Sequence, residues 1–175
     1  MRYGRSTATY FRAVDRAWML PRITLITPSY QQAAFLEECL ASVHDQGYPD
    51  LEHIVVDGGS TDGSAAIIER YAARLAWWCS EKDRGQSHAI NKAMAHATGQ
   101  VFGWINSDDA LLPGALLRVG EAFAKDPNLT VLSGIRLNRS IEQGDVPMPT
   151  EDADDPESYF VAPRINQQAT FFRLK

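Results

Sequence analysis

The stretch Leu51-Glu-His-Ile-Val-Val-Asp-Gly-Gly-Ser-Thr-Asp-Gly-Ser-Ala-Ala-Ile-Ile-Glu-Arg-Tyr71 decides the fold of this chain. Leu51 to Val56 is apolar, β-branched and of strand length. Asp57 to Gly63 is rich in turn formers, and Ile67, Ile68 and Tyr71 then recur at helical spacing. Strand, turn and helix in that order make a βα unit. Before it, Ile23-Thr-Leu-Ile-Thr27 is a second apolar run that Pro28 ends, and Phe35, Leu36, Cys39, Leu40 and Val43 mark the helix that follows. After it, Leu75 to Cys79 predicts a third strand, Ser87 to Ala97 a helix, and Val101 to Ile105 a fourth strand running into Asn106-Ser-Asp-Asp109. Pro113 opens a helix reaching about Lys125, because the N–H that proline lacks has no partner in a first turn. Thr130 to Ile135 and Ala169 to Phe172 read as two more strands. Strands alternating with helices predict a three-layer α/β/α, Rossmann-like domain with a mostly parallel central sheet.

The pattern dissolves between Asn138 and Pro163. Glu142, Asp145, Glu151, Asp152, Asp154, Asp155 and Glu157 crowd this segment, which reads either as a solvated acidic loop or as a flap over an acceptor site. The domain is therefore placed at 22–175, with an acidic loop at 138–163. Ahead of it, residues 1–21 form a basic arm in which Arg2, Arg5, Arg12 and Arg16 face only Asp15. Tyr10, Phe11, Val14, Trp18 and Met19 space an apolar stripe along that arm. It reads as a peripheral contact with an anionic membrane face, or as an arm or helix serving its own domain.

A chain of 175 residues with 45% hydrophobic content can bury one substantial core. Its net charge of -5 excludes a protein that coats nucleic acid phosphates, which takes a dense basic surface. Cys39 and Cys79 have neither zinc-site spacing nor the density of a disulfide scaffold, which fits a reducing cytoplasm. No apolar run approaches the roughly 18 residues that span a bilayer. The expected location is cytoplasmic, with the arm at the inner membrane face.

In open parallel sheets, ligands bind beyond the carboxyl ends of the strands. Four polar segments stand there: Pro28-Ser-Tyr30, Asp57 to Gly63, Glu81 to Ser87, and Asn106 to Asp109. Asp108 and Asp109 are adjacent carboxylates that repel unless a cation or hydrogen-bond donors compensate. Mg²⁺ or Mn²⁺ suits such a pair, since each takes one or two carboxylates and completes its shell with water and phosphate oxygens. From the residues alone a second reading stays open, in which one Asp caps the next helix and the other faces water. Asp57 to Gly63 lets a backbone approach a ligand closely, yet it has neither the dinucleotide-binding glycine spacing nor the Lys-Ser/Thr ending of a P-loop. An Asp at a strand end can accept the imide N–H of uracil or thymine, while Ser60 to Gly63 also reads as a plain turn with Asp62 as helix cap.

Thr27-Pro-Ser-Tyr30, Asp57-Gly-Gly-Ser-Thr-Asp-Gly-Ser64, Asp83-Arg-Gly-Gln-Ser87 with Ala89-Ile-Asn-Lys-Ala93, and Gly103-Trp-Ile-Asn-Ser-Asp-Asp109 stand in the order found in family 2 glycosyltransferases of the GT-A fold. The chain resembles that family from about Arg22 to Leu137. The resemblance implies a nucleoside-diphosphate-sugar donor, UDP- or dTDP-linked, a divalent cation (Mn²⁺ or Mg²⁺), and inverting transfer to a glycan or lipid-linked acceptor. It places Pro28 and Tyr30 at the base, with Tyr30 stacking and Asp57 hydrogen-bonding. Arg84 reaches the diphosphate or sugar and Asn91 supports its loop, whereas Lys92 reads as a surface lysine. Asp108 lies near ribose and sugar and shares the metal with Asp109. His88 stands where similar sequences are often acidic. The family's general base follows the strand resembling Gln167 to Phe172, a point close to Lys175. The expectation is therefore a fragment of a longer enzyme, an acid from Glu151 to Asp155 as substitute base, or a silent nucleotide-sugar binding module.

Overall fold

The computed structural model describes residues 20–140, 144–148 and 166–174. The basic arm up to residue 19, the acids at 151–155 and most of the expected acidic loop lie outside the described residues.

Six strands form one sheet in the order β3-β2-β1-β4-β8-β5. They are β1 Ile23–Ser29, β2 Leu51–Asp57, β3 Trp77–Ser80, β4 Val101–Trp104, β5 Val131–Ser133 and β8 Thr170–Arg173. The first four are mutually parallel, whereas β8 runs antiparallel to both β4 and β5. The carboxyl ends of β1 to β5 therefore share one edge with the start of β8. Every residue of β1 is buried, as expected for a central strand covered on both faces. Alternation along it separates two layers. Leu25 joins Cys39 and Val43 of α1 (Ala33–His44) and Leu116, Val119 and Phe123 of α4 (Ala115–Lys125). Ile26 faces the opposite way, toward Ala89 and Ala93 of α3 (Gln86–Met94). Val55 packs with Leu36 and Leu40 of α1 and Ile68 of α2 (Ser64–Tyr71). This is the expected three-layer α/β/α arrangement. No helix among the described residues is long and apolar enough to cross a membrane.

The structure revises several local expectations. Pro28 does not end β1; it is buried within it, opposite Val56. Ile26 and its even-numbered neighbours turn their backbone groups toward β4, whose pairing stops at Trp104, so proline's missing N–H falls where no ladder bond is due. The last helix opens at Ala115 rather than Pro113, because Gly114 before it is left-handed (φ 77°). Of the apolar residues that marked the first helix, Leu36, Cys39, Leu40 and Val43 are buried, whereas Phe35 is 52% exposed. Part of the expected loop is a hairpin, β6 Arg136–Ser140 with β7 Gly144–Met148. Its polar sequence and Pro147 conceal the alternation that would have announced strands.

Two buried polar groupings tie these layers together. At the edge where β1 and β2 begin, Thr24 Oγ1 donates to Glu52 (2.5 Å) and accepts from Gly99 N–H (2.9 Å), while Thr98 donates to the same carboxylate through its N–H (2.7 Å) and its hydroxyl (2.5 Å). Burial opposes ionisation of Glu52, but these donors and Arg22 outweigh it and hold its pKa below the usual value. A Cβ on Gly99 would lie 2.5 Å from Thr24 Oγ1 and 2.7 Å from Thr24 N, inside contact distance of fixed backbone. Gly99→Ala should therefore destabilise the fold by about 2–3 kcal/mol, read as a lower urea midpoint with unchanged slope. The second grouping runs through the core. His53, with no exposed surface, lies 3.0 Å from Thr27 Oγ1 and 3.2 Å from His44, and the Cys39 thiol on the same side donates to the Asn106 carbonyl (3.4 Å).

Candidate functional site

The four polar segments singled out in the sequence meet at the shared edge, cross-linked by their own hydrogen bonds. Gly58 N–H donates to the Ser29 carbonyl (2.8 Å) and Glu81 N–H to the Asp57 carbonyl (3.0 Å). Gln31, the one non-glycine residue with positive φ (53°) among the described residues, is pinned by its N–H to Ser60 Oγ (2.8 Å) and by two side-chain bonds to Thr61. Such strain persists only where neighbours over-determine it. Asp62 is not itself the cap residue, which is Gly63 for α2 and Gln32 for α1, but it accepts from Ser64 at the start of α2 and from Ala33 N–H at the start of α1 (2.8 Å). These donors, Ser64 foremost, hold its pKa low. Two helix starts are thereby fastened to one loop.

Asp57 is 0% exposed. Its Oδ2 accepts from Gly59 N–H (3.1 Å), Ser60 N–H (2.9 Å) and Ser80 Oγ (2.6 Å), and its Oδ1 from Ser60 Oγ (2.5 Å). The carboxylate thus holds its own turn and presents no outward surface. Gly59, at φ 80° with Lys82 N 3.0 Å from where a Cβ would stand, is a position only glycine fills without strain. Tyr30 is 62% exposed and lies over Gly58, whose absent Cβ would be 3.1 Å from the tyrosine ring and 3.2 Å from Asp83 Oδ2.

In the loop after β3, Arg84 is exposed, and His88 Nδ1 accepts its backbone N–H (3.3 Å). The histidine that departs from the usual acid is therefore an anchor for this loop. Asn91 is exposed on α3, and it is Lys92 that ties the helix to the loop, through Glu81 Oε1 (2.7 Å). Lys92 is not a free surface lysine: its side chain is only 19% exposed. The shared hydrogen bond raises its pKa and lowers that of Glu81.

Asp108 is exposed and Asp109 half-buried just beyond β4. Burial, and next the charge of Asp108, push the Asp109 carboxyl above its ordinary value, against the pull of an Asn106 hydrogen bond and of Arg136. Neither Asp caps α4, which Gly114 precedes without a side-chain cap, so the capping reading of the pair is set aside. Asn106 is central here. It accepts from Gln86 Nε2 (2.6 Å) and donates to Asp109 (3.2 Å) and Gln167 (3.2 Å), while Gln167 Nε2 donates to the Trp104 carbonyl (2.8 Å). No group of three His, Cys, Asp or Glu side chains that could hold a metal occurs among the described residues. A two-carboxylate site completed by phosphate oxygens and water needs none.

Among the described residues, two buried side-chain atoms without a hydrogen-bond partner are Ser29 Oγ, at the last residue of β1, and Arg136 Nε, at the first residue of β6. Sequence reasoning missed Arg136, Gln86 and Gln167. The only signal for the last two was their position beside motifs already singled out, and nothing marked Arg136.

A family model described as "Glycosyl transferase family 2" matches residues 24–171. The chain belongs to that family. Among its relatives, it is 38% identical, over 125 residues, to the O-antigen biosynthesis protein RfbC of Myxococcus xanthus, an alignment covering 69% of this chain and 10% of that protein. Among solved structures, the mannosyltransferase PcManGT of Pyrobaculum calidifontis, in complex with GDP-Man and Mn²⁺, matches at a TM-score of 0.59 and 30% identity, covering 77% of this chain and 43% of that one. TarS 1–349 of S. aureus, in complex with UDP-GlcNAc, matches at 0.66 and 22% identity, covering 87% and 45%, a likeness of fold. The chain thus spans less than half the length of each.

Proposed function

We infer that this domain binds a nucleoside-diphosphate-sugar, UDP- or dTDP-linked, together with Mn²⁺ or Mg²⁺, and serves a metal-dependent inverting transfer to a glycan or lipid-linked acceptor. The observation that carries this reading is the convergence of four motif loops around Asp108 and Asp109, where the raised pKa of Asp109 marks negative charge in need of a counter-charge. The residues fit a divalent cation: Asp109, held by Asn106, and the exposed Asp108 would hold it. When bound, the cation would offset the charge of a departing diphosphate.

The chain's own residues would do the rest. Tyr30 offers an exposed aromatic face for stacking a base, over a floor kept bare by Gly58. Asp57 and Pro28 shape that floor from within, and Arg84 projects from the neighbouring loop toward the diphosphate or sugar. The basic arm would bring the domain to an anionic membrane face where lipid-linked acceptors lie, a reading supported by its charge pattern alone.

Thermal unfolding tests the donor site. UDP or dTDP with Mn²⁺, at a hundredfold excess over its Kd, should add about 2.7 kcal/mol of stability, and omitting Mn²⁺ should remove most of the gain. If UDP, dTDP and GDP all leave the melting curve where it was with Mn²⁺ present, there is no donor site here.

A further inference from the structure

We infer that Gln167, 61 positions beyond Asn106 in the chain, is a positioning residue for the turn that holds Asp108 and Asp109: it fixes which end of the Asn106 amide meets Asp109. This rests on the donor-site reading above and adds to it the residue that readies the carboxylate. A side-chain amide carries an oxygen that only accepts and an NH₂ that only donates, on two arms of nearly equal shape, so its neighbours decide which way round it sits. Here the decision starts at the backbone. The Trp104 carbonyl, at the end of β4, can only accept, and it takes Gln167 Nε2 (2.8 Å). That turns Gln167 Oε1 toward Asn106, which must answer with Nδ2 (3.2 Å). The same Nδ2 donates to Asp109 Oδ2 (3.2 Å), and Asn106 Oδ1 accepts Gln86 Nε2 (2.6 Å). A reversed Asn106 would aim its oxygen at two others, Gln167 Oε1 and Asp109 Oδ2. Gln86 is exposed, and its amide could turn to match either orientation, so it follows this order rather than setting it.

Gln167 is itself held in place. It opens a short 3₁₀ turn, Gln167–Ala169, that is fastened on both sides to the residue after β5. Gly134 N–H donates to the Ala169 carbonyl (2.8 Å), and Asn166 Nδ2 donates to the Gly134 carbonyl (3.2 Å). The order of donors and acceptors is thus anchored in the sheet and ends at one oxygen of Asp109. Residues that orient a ligating carboxylate in this way set its readiness for an ion, and losing one costs about tenfold to a hundredfold in metal affinity.

Gln167→Met keeps the volume but removes both hydrogen bonds. Gln167→Ala admits water, which donates and accepts alike and so leaves Asn106 undecided; it serves if the larger side chain packs badly. Calorimetric titrations of UDP at a series of Mn²⁺ concentrations would compare the wild type with these variants, Gln86→Met, Asn106→Ala and the double variant Asn106→Ala with Gln167→Met. The Mn²⁺ concentration that half-restores UDP binding should rise about tenfold to a hundredfold in the Gln167 variants, and saturating Mn²⁺ should return UDP affinity to the wild-type value. Gln86→Met should shift it clearly less. Because Gln167 acts through Asn106, adding Gln167→Met to Asn106→Ala should change nothing further. An unshifted Mn²⁺ requirement, a UDP affinity that stays low at saturating Mn²⁺, an equal shift in Gln86→Met, or losses that multiply in the double variant would each overturn the role of Gln167 while leaving the donor site standing. A wild type whose binding of UDP, dTDP or GDP does not depend on Mn²⁺ would overturn both.

Discussion

Asp109→Asn should abolish the Mn²⁺-dependent part of UDP binding, a loss of about a hundredfold or more in affinity, and at the same time raise the melting temperature of the protein alone. The two effects have one origin. Asp109 is half-buried next to Asp108, and burial together with that neighbouring charge disfavours its ionised form. A neutral amide removes the repulsion, and Asn106, which donates to Asp109 Oδ2, can donate equally to an amide oxygen. The same substitution leaves a divalent ion with the single carboxylate of Asp108. Calorimetry with and without Mn²⁺, paired with thermal melts, gives both readings. Metal-dependent binding that survives the substitution would remove Asp109 from the metal site, and a lowered melting temperature would show that its charge stabilises the fold.

Acid should unfold this protein earlier than its carboxylates alone require, through His53 and His44. Burial, and then the charge of His44, lower the His53 pKa to about 3. Burial, and then Arg74, lower that of His44 to about 4. Both are neutral in the folded chain but take up a proton near pH 6.5 once unfolded. The unfolded state therefore binds more protons below pH 6.5, and stability falls as pH drops from there toward 4. His53, fully buried, should contribute a loss on the order of 3 kcal/mol by pH 4.5, a large share of an ordinary folding free energy. His44 adds less because it is partly exposed. Urea melts at pH 7.5 and 4.5 on the wild type and His53→Gln check this. The variant should be less stable at pH 7.5, having disturbed the contact with Thr27, but should lose clearly less than the wild type on acidification. Equal losses in both would remove His53 from the account.

Much of the architecture was legible because its cause is local. The run Ile54-Val-Val56 can be buried on both faces only in a covered parallel strand, and the recurrence of Leu36, Cys39, Leu40 and Val43 leaves one helical reading. The loops of the site were legible for the same reason, since each directly follows a strand. The rest depends on pairings distant in sequence. Nothing near Thr170 announces that β8 inserts between β4 and β5, and this insertion is what carries Gln167 to Asn106. Arg136 reaches the vicinity of Asp109 because β5, paired to β8, runs alongside β4 in direction. The His44 and His53 contact likewise joins the end of a helix to the middle of a strand. The inward turn of Asp57 shows a different limit: sequence places a carboxylate at a strand end but not the direction it faces, which Ser60, Ser80 and two backbone amides decide.

The insertion of β8 also sets an order of events during synthesis. Val101 pairs with Arg173 and Val131 with Phe172, so a ribosome that has released both β4 and β5 has yet to deliver the strand that joins them. Until then β4 carries a bare edge beside the turn that holds Asp108 and Asp109, and β5 has no partner among the described strands. Nascent chains stalled in that interval would be sticky, with unpaired backbone groups open to other strands. The contacts of Gln167 with Asn106 and with the Trp104 carbonyl would form only once β8 has emerged.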